Sequence, residues 1–309
     1  MSLHVVFGAT GGIGRALTEE LVRRGERVRA VSRSGTAIAG AEAVAANALD
    51  PEAAAPAADG AEVVYHCVNP GYTKWPQLLP PVSQSILQAA ESAGAKLVYA
   101  DNLYAYGPVD GPLREDLPAA AKGRKGRTRA EVAADLLAAH AEGRVRVTIG
   151  RASDYYGPHG TMSNAGETLF GRLVAGQRPI WLGRLDQPHT FHYLPDLASG
   201  LLELAERDEA DGGVWHLPAA KPLTAQHFID LAAGAAGQEP RVQTMPSIAL
   251  TLGGVFSPML RELRETQYQF RAPFVSDSSK FETAFGPVRA TPHREAVPKT
   301  VEWFQARNR

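Results

Sequence analysis

Gly8-Ala9-Thr10-Gly11-Gly12-Ile13-Gly14 is the stretch on which the reading of this chain turns. Before it stands a short apolar run, Leu3 to Phe7, whose composition predicts a buried strand. After it, Ile13, Leu17, Leu21 and Val22 recur at helical spacing, and Gly25 ends a helix predicted over Gly12 to Arg24. Glycines at such a junction permit a tight turn and let the backbone approach a pyrophosphate. The helix N-terminus adds free N–H groups and the positive end of a dipole. A glycine triplet alone is a weak signal, but strand before and helix after supply the context it needs. The stretch therefore predicts the βαβ opening of a dinucleotide-binding fold, with Gly8, Thr10, Gly11, Gly12, Ile13 and Gly14 around the phosphates.

Working outward, strands are expected at Val28–Ser32, Val63–Cys67, Lys96–Ala100 and Val145–Gly150, with helices at Leu78–Ala93 and Arg127–Glu142 between them. The second of these helices turns Val132, Ala133, Leu136 and Leu137 inward. Such alternation predicts a doubly wound parallel sheet of Rossmann type. Beyond about residue 155 the pattern loosens. Helices are expected at Asn164–Ala175, Pro195–Ala205, Ala225–Ala235 and His293–Gln305, punctuated by glycine and proline. The expected organisation is a dinucleotide-binding domain over 1–155, a smaller α/β substrate lobe over 156–309, and a return of segments near 185–215 to the first domain. The alanine-rich Ala39–Ala58 carries no readable pattern.

The end of the second strand selects the coenzyme. A site for NAD places an acid there, on the ribose 2′-hydroxyl. This chain has Val31-Ser32-Arg33-Ser34 instead, and a guanidinium suits a 2′-phosphate by charge and fork geometry. NADP is the expected cofactor, bound through Ser32 and Arg33, with NAD as the fallback.

Composition narrows the remaining classes. In 309 residues, 44% are apolar and 21% charged, and the formal net charge is −1, so no overall basic field invites nucleic acid. A single cysteine, Cys67, excludes an intrachain disulfide framework and any multi-cysteine zinc site. The N-terminus lacks a signal-peptide pattern, and no apolar run approaches the ~20 residues of a spanning helix. A cytoplasmic protein without a membrane partner is expected.

Several later segments, taken in order, resemble the short-chain dehydrogenase/reductase superfamily in its extended or atypical branch, the NAD-dependent epimerase/dehydratase-like group. They are the TGxxGxxG-like turn, Val63–Cys67, Leu97–Ala100 with Tyr104–Gly107, Arg151 with Tyr156-Gly157-Pro158, His192–Asp196, and Phe281–Phe304. The resemblance implies that the fourth strand runs past the cofactor, which brings Cys67 into the cofactor-binding set together with Asn47. It implies a catalytic Ser or Thr after the fifth strand and a Tyr-x-x-x-Lys on the next helix. Counting back from Ala130-Glu131 puts Gly123 at the tyrosine and Arg127 at the lysine, and Asn102 stands at the serine, beside Asp101. The usual proton relay is thus replaced. Arg127 is left to bind ribose or phosphate, and Asn102 to hold a carbonyl. The substitute acid is sought among tyrosines at the sheet's carboxyl edge, namely Tyr72, Tyr104, Tyr106, Tyr155 and Tyr156, with Tyr104 preferred. Helices Leu78–Ala93 and Arg127–Glu142 resemble those of the family's dimer interface, which implies a homodimer.

Two other features bear on function. Lys122 to Arg129 holds five cations in eight residues, readable as a clamp for a substrate phosphate or carboxylate or as a solvated helix start. Cations there oppose the helix dipole, which favours a functional reason. His189 and His192 should point to opposite faces of an extended segment, so no metal is expected, though one of them can line a pocket. Two functions remain open. One is an NADP(H)-dependent oxidoreductase or epimerase-like enzyme acting on a small carbonyl, hydroxyl or nucleotide-sugar substrate. The other is a non-catalytic NADP(H)-binding regulator that senses redox state.

Overall fold

A computed structural model describes residues 2–245, 258–288 and 290–308. Its first half runs β1 (Leu3–Phe7), α1 (Gly12–Arg23), β2 (Arg27–Ser32), β3 (Glu42–Ala45), α2 (Pro51–Ala58), β4 (Val63–His66), α3 (Trp75–Ala93), β5 (Lys96–Asn102), α4 (Arg124–Ala141) and β6 (Val147–Ala152). The second half carries β7 (Tyr155–Tyr156), α5 (Arg172–Val174), β8 (Ile180–Leu182), β9 (Pro188–His189), β10 (His192–Tyr193), α6 (Leu194–Glu206) and β11 (Val214–His216). It continues with β12 (Leu223–Thr224), α7 (Ala225–Ala235), β13 (Gln243–Met245), α8 (Pro258–Thr266), α9 (Ser279–Phe285) and α10 (His293–Arg307).

Seven strands form one parallel sheet in the order β11-β6-β5-β4-β1-β2-β3. The expected doubly wound Rossmann-type sheet is what the chain builds. All five residues of β1 are buried, as a parallel strand covered on both faces requires. Leu79, Val82, Ile86, Val132 and Leu136 of α3 and α4 pack on one face. Leu17 and Leu21 of α1 pack with Leu197, Leu201 and Leu204 of α6 on the other. The edge strand β11 and helix α6, which packs on β5 and β6, come from the later part of the chain. A separate aromatic core of Tyr156, Phe170, Trp181, Phe191, Phe228 and Phe304 lies among the elements outside this sheet. Among the described residues no helix is long and apolar enough to cross a membrane.

Two expectations are corrected. The alanine-rich tract contains an edge strand, β3, and a helix, α2, whose start is fixed by Asp50: its side chain accepts a hydrogen bond from Glu52 N at 3.0 Å. The helix expected over Asn164–Ala175 is instead a wide π-helical turn, Gly166–Gly171, followed by the short α5. Glycines at both ends of that turn weaken its hold on ordinary helical winding.

Candidate active site

The first element of the site is the turn between β1 and α1. Gly8 N and Ala9 N donate to Val31 O at 3.0 and 3.2 Å, which fastens the turn to β2. Gly8 has φ of 83°, and a β-carbon there would stand 2.8 Å from the backbone of Cys67 and Val68. A β-carbon at Gly14 would collide with the Gly8 carbonyl. Gly11 is extended and no side chain caps α1, so the first amides of that helix face outward without a protein acceptor supplied at the cap. Thr10 and Gly11 are exposed, and Gly12 and Ile13 half-buried. A turn drawn in this tightly, with an uncapped helix start, suits a pyrophosphate.

The edge beside this turn holds the other predicted cofactor residues. Ser32 is buried at the end of β2 and Arg33 is exposed just past it. Ser34 and Thr36 hydroxyls lie 2.7 Å apart in the same bend. Asn47 is exposed and turns the chain after β3, its side-chain oxygen accepting from Leu49 N at 3.2 Å. Cys67 is tied to β1 by Cys67 N donating to Phe7 O at 2.9 Å, and burial pushes its thiol up to about 12, so it is packing rather than nucleophile.

The second element is the carboxyl edge of β4, β5 and β6, roofed by α4. Asp101, fully buried at the end of β5, accepts from Arg151 Nε at 2.9 Å and Arg129 Nη1 at 3.3 Å. Arg129 also donates to Tyr99 Oη at 2.7 Å and Asn69 Oδ1 at 2.9 Å, and its guanidinium lies 4.3 Å from the Trp75 ring centre. Its Nε has no hydrogen-bond partner. One turn earlier, the fully buried Lys125 ammonium pairs with Glu262 and lies 4.5 Å over the Tyr72 ring. Glu265 accepts from Lys125 N at 2.6 Å. These two carboxylates, delivered by α8, compensate the cations at the α4 N-terminus and remove the conflict with the helix dipole.

Tyr104 is set by its neighbours. The Asn102 side chain accepts from Tyr104 N at 3.0 Å and so starts the turn that aims the ring. The ring stacks on Trp75 with centroids 5.8 Å apart. Gln269 and Tyr72 stand beside its hydroxyl, and burial holds its pKa well above the ordinary phenol value. Burial likewise raises Tyr72 and pushes Tyr155 up to about 12. The Tyr72 hydroxyl meets Thr266 Oγ1 at 2.7 Å. Beside them, His189 Nδ1–H donates to Gln269 O at 3.2 Å, and its Nε2 faces Asp154 Oδ2 at 2.9 Å.

The expected residues divide. Asn102 and Tyr104 meet at this edge. Arg127 does not: it is exposed on the outer face of α4, and Gly123 is that helix's N-cap. The inward positions are Lys125 and Arg129, two residues further on. Of the five cations in the expected clamp, Lys125 and Arg129 are buried on carboxylates, while Lys122, Arg124 and Arg127 are exposed. Tyr106 and Tyr156 are buried structural phenols, bonded to His216 Nε2 and His293 Nδ1 at 2.8 Å each. His192 is held between Ser153 N and Leu217 O, and among the described residues no group of side chains is arranged for a metal. Sequence reasoning missed Asn69, Asp154, Glu262 and Gln269, placed His189 as one of two histidines able to line a pocket, and gave Lys125 and Arg129 only as members of a cationic run. A signal existed for these last two. The inward residues Val132, Ala133 and Leu136 extend backward at helical spacing to Arg129 and Lys125.

A curated relative from Streptomyces sp., 3-diazoavenalumate denitrifying reductase, is 28% identical over 262 residues, covering 79% of this chain and 84% of its own. The crystal structure of gox2253 superposes with a TM-score of 0.81 at 22% identity, over 100% of this chain and 99% of that one. UDP-glucuronic acid 4-epimerase from Bacillus cereus, solved in complex with NAD, superposes at 0.77 with 17% identity, over 98% and 96%. The model of the NAD dependent epimerase/dehydratase family matches residues 4–217, and the chain belongs to that family.

Proposed function

We propose that this protein is an NADP(H)-dependent oxidoreductase that runs toward reduction of a small carbonyl substrate. Tyr104 is the proton donor, and Asn102 and Arg129 are positioning residues. The cofactor's share of the chemistry, when it is bound, is a hydride exchanged at the nicotinamide. The Gly8–Gly14 turn and the start of α1 hold the pyrophosphate, and Arg33, with no acid at the end of β2, holds a 2′-phosphate.

One observation carries the direction. The phenols at this edge are all pushed toward their protonated form, and the inward α4 positions hold Lys125 and Arg129 rather than a tyrosine with a free lysine. Oxidising an alcohol needs a base to take its proton, and a buried phenol is a poor one. Reduction needs only donors for the developing oxyanion, and a neutral phenol beside the Asn102 amide supplies them. An alkoxide is a stronger base than even a buried phenolate, so proton transfer from Tyr104 runs downhill. The name of the Streptomyces relative, a reductase, agrees with this direction.

The test is NADPH consumption by purified protein over a panel of carbonyl compounds. Tyr104→Phe should lower turnover by about 10²–10⁴-fold, the usual worth of a positioned general acid. Tyr72→Phe should retain most of it. Tight NADPH binding without turnover of any panel member would move the protein to the regulator reading.

A further inference from the structure

Of the nine tyrosines in the chain, Tyr65, Tyr99, Tyr106, Tyr156 and Tyr193 are buried. The remaining four, Tyr72, Tyr104, Tyr155 and Tyr268, are half-buried. These four gather at one place. Tyr104 lies beside Tyr72, and Tyr268 is edge-on to Phe274 at 6.2 Å, which in turn stacks on His189 next to Asp154. Tyr155 follows Asp154 directly in the chain. Trp75 joins the group, edge-on to Tyr72 at 5.2 Å and stacked on Tyr104. Aromatic surface left partly open at the carboxyl edge of a parallel sheet stands where ligands of this fold sit. Such a wall suits a flat π-system, which it meets by stacking and edge contacts.

The charges at the same edge point away from a diphosphate. Lys125 is held by Glu262, Arg124 lies 3.9 Å from that same carboxylate, and Arg129 is held by Asp101. Glu265 and Asp154 bring further carboxylates to the same edge. A nucleoside diphosphate entering here meets carboxylates, and the inward cations already have partners.

We infer that the substrate is a flat aromatic or aryl-conjugated carbonyl compound rather than a nucleotide sugar. This deepens the reductase reading and rests on it. In the reaction the carbonyl carbon gains a hydride from NADPH, its oxygen gains the Tyr104 proton, and solvent returns a proton to the phenol. The products are the alcohol and NADP⁺.

The experiment compares two probes of like size and reactivity, cinnamaldehyde and 3-cyclohexylpropenal, with UDP-glucose as the third. NADPH oxidation is followed at saturating cofactor, and calorimetry on NADP⁺-loaded protein reads binding separately. Expected is a kcat/KM about five- to tenfold higher for the aryl probe and no heat from UDP-glucose. Tyr104 is the proton donor of the reading above, so the wall is tested through Tyr268→Leu, which should erase the aryl preference, and Tyr268→Phe, which should keep it. Equal turnover of the two aldehydes, heat from UDP-glucose, or no heat and no turnover from cinnamaldehyde would each overturn the inference. Failure of the protein to bind NADPH at all would instead strike the reading beneath it.

Discussion

Asp101→Asn removes the one carboxylate shared by two buried guanidiniums. Arg129 and Arg151 have side chains 4% and 6% exposed, and both reach Asp101 within 3.3 Å. At an effective dielectric of about 20, each contact is worth roughly 4 kcal/mol before desolvation is counted. Because the charges are already out of water, loss of the anion leaves two cations facing one another with no counter-charge. Breaking a buried pair from one side costs about 3–5 kcal/mol. For a chain of this size that corresponds to a fall in Tm of roughly 5–8 °C. Urea unfolding gives the free energy directly, and the double variant Asp101→Asn/Arg129→Met should lose less than the sum of its single changes, since one stranded cation has been removed. A loss under about 1 kcal/mol for Asp101→Asn, or strict additivity in the double variant, would refute the triad as a coupled unit.

Arg33→Ala should weaken NADPH binding by about tenfold or more while leaving NADH nearly unchanged, the worth of one charge-assisted contact, read by calorimetry. Gly126→Ala places a methyl group against the Tyr104 carbonyl, 2.5 Å away, and should cost about 1–3 kcal/mol in stability and reduce kcat more than NADPH affinity. Arg127→Ala should leave turnover within a factor of about two, as for an exposed side chain, whereas Arg129→Ala should abolish it. Acid sensitivity follows from three buried histidines. Burial lowers His66 and His216 to about 3 and His192 to about 4, against 6.5 when unfolded. Between those values the unfolded chain binds more protons than the native one, so stability is full above pH 6.5 and falls as pH drops toward 3. The slope approaches about 4 kcal/mol per pH unit where all three act. A urea midpoint that stays flat from pH 6.5 to 4 would contradict this.

The sheet was legible because its strands are short apolar runs bounded by turn residues, and its helices show a clear apolar face. What escaped has specific causes. Glu42–Ala45 lies at the sheet's edge with mostly exposed small side chains, so neither composition nor alternation marks it. The Rossmann-type turn could be read from its glycines alone because its function lies in the backbone. The tyrosine-lined edge could be read only at Asn102 and Tyr104, because its other side chains are assembled from β4, β6, α4 and the segment near 262–269, which no local pattern connects. On α4, motif counting placed the pair at Gly123 and Arg127, whereas the phase of the buried face places Lys125 and Arg129. Helical phase, unlike spacing to a family motif, follows which side chains reach the core.

Glu262, which neutralises Lys125, lies 137 positions later in the chain. A ribosome therefore completes the whole parallel sheet well before it supplies that counter-charge. Until then the newly folded half carries an ammonium that has to remain hydrated, and the roof over the tyrosines stays ajar. Last-quarter exchange among relatives would accordingly alter which molecules are admitted while leaving coenzyme capture intact.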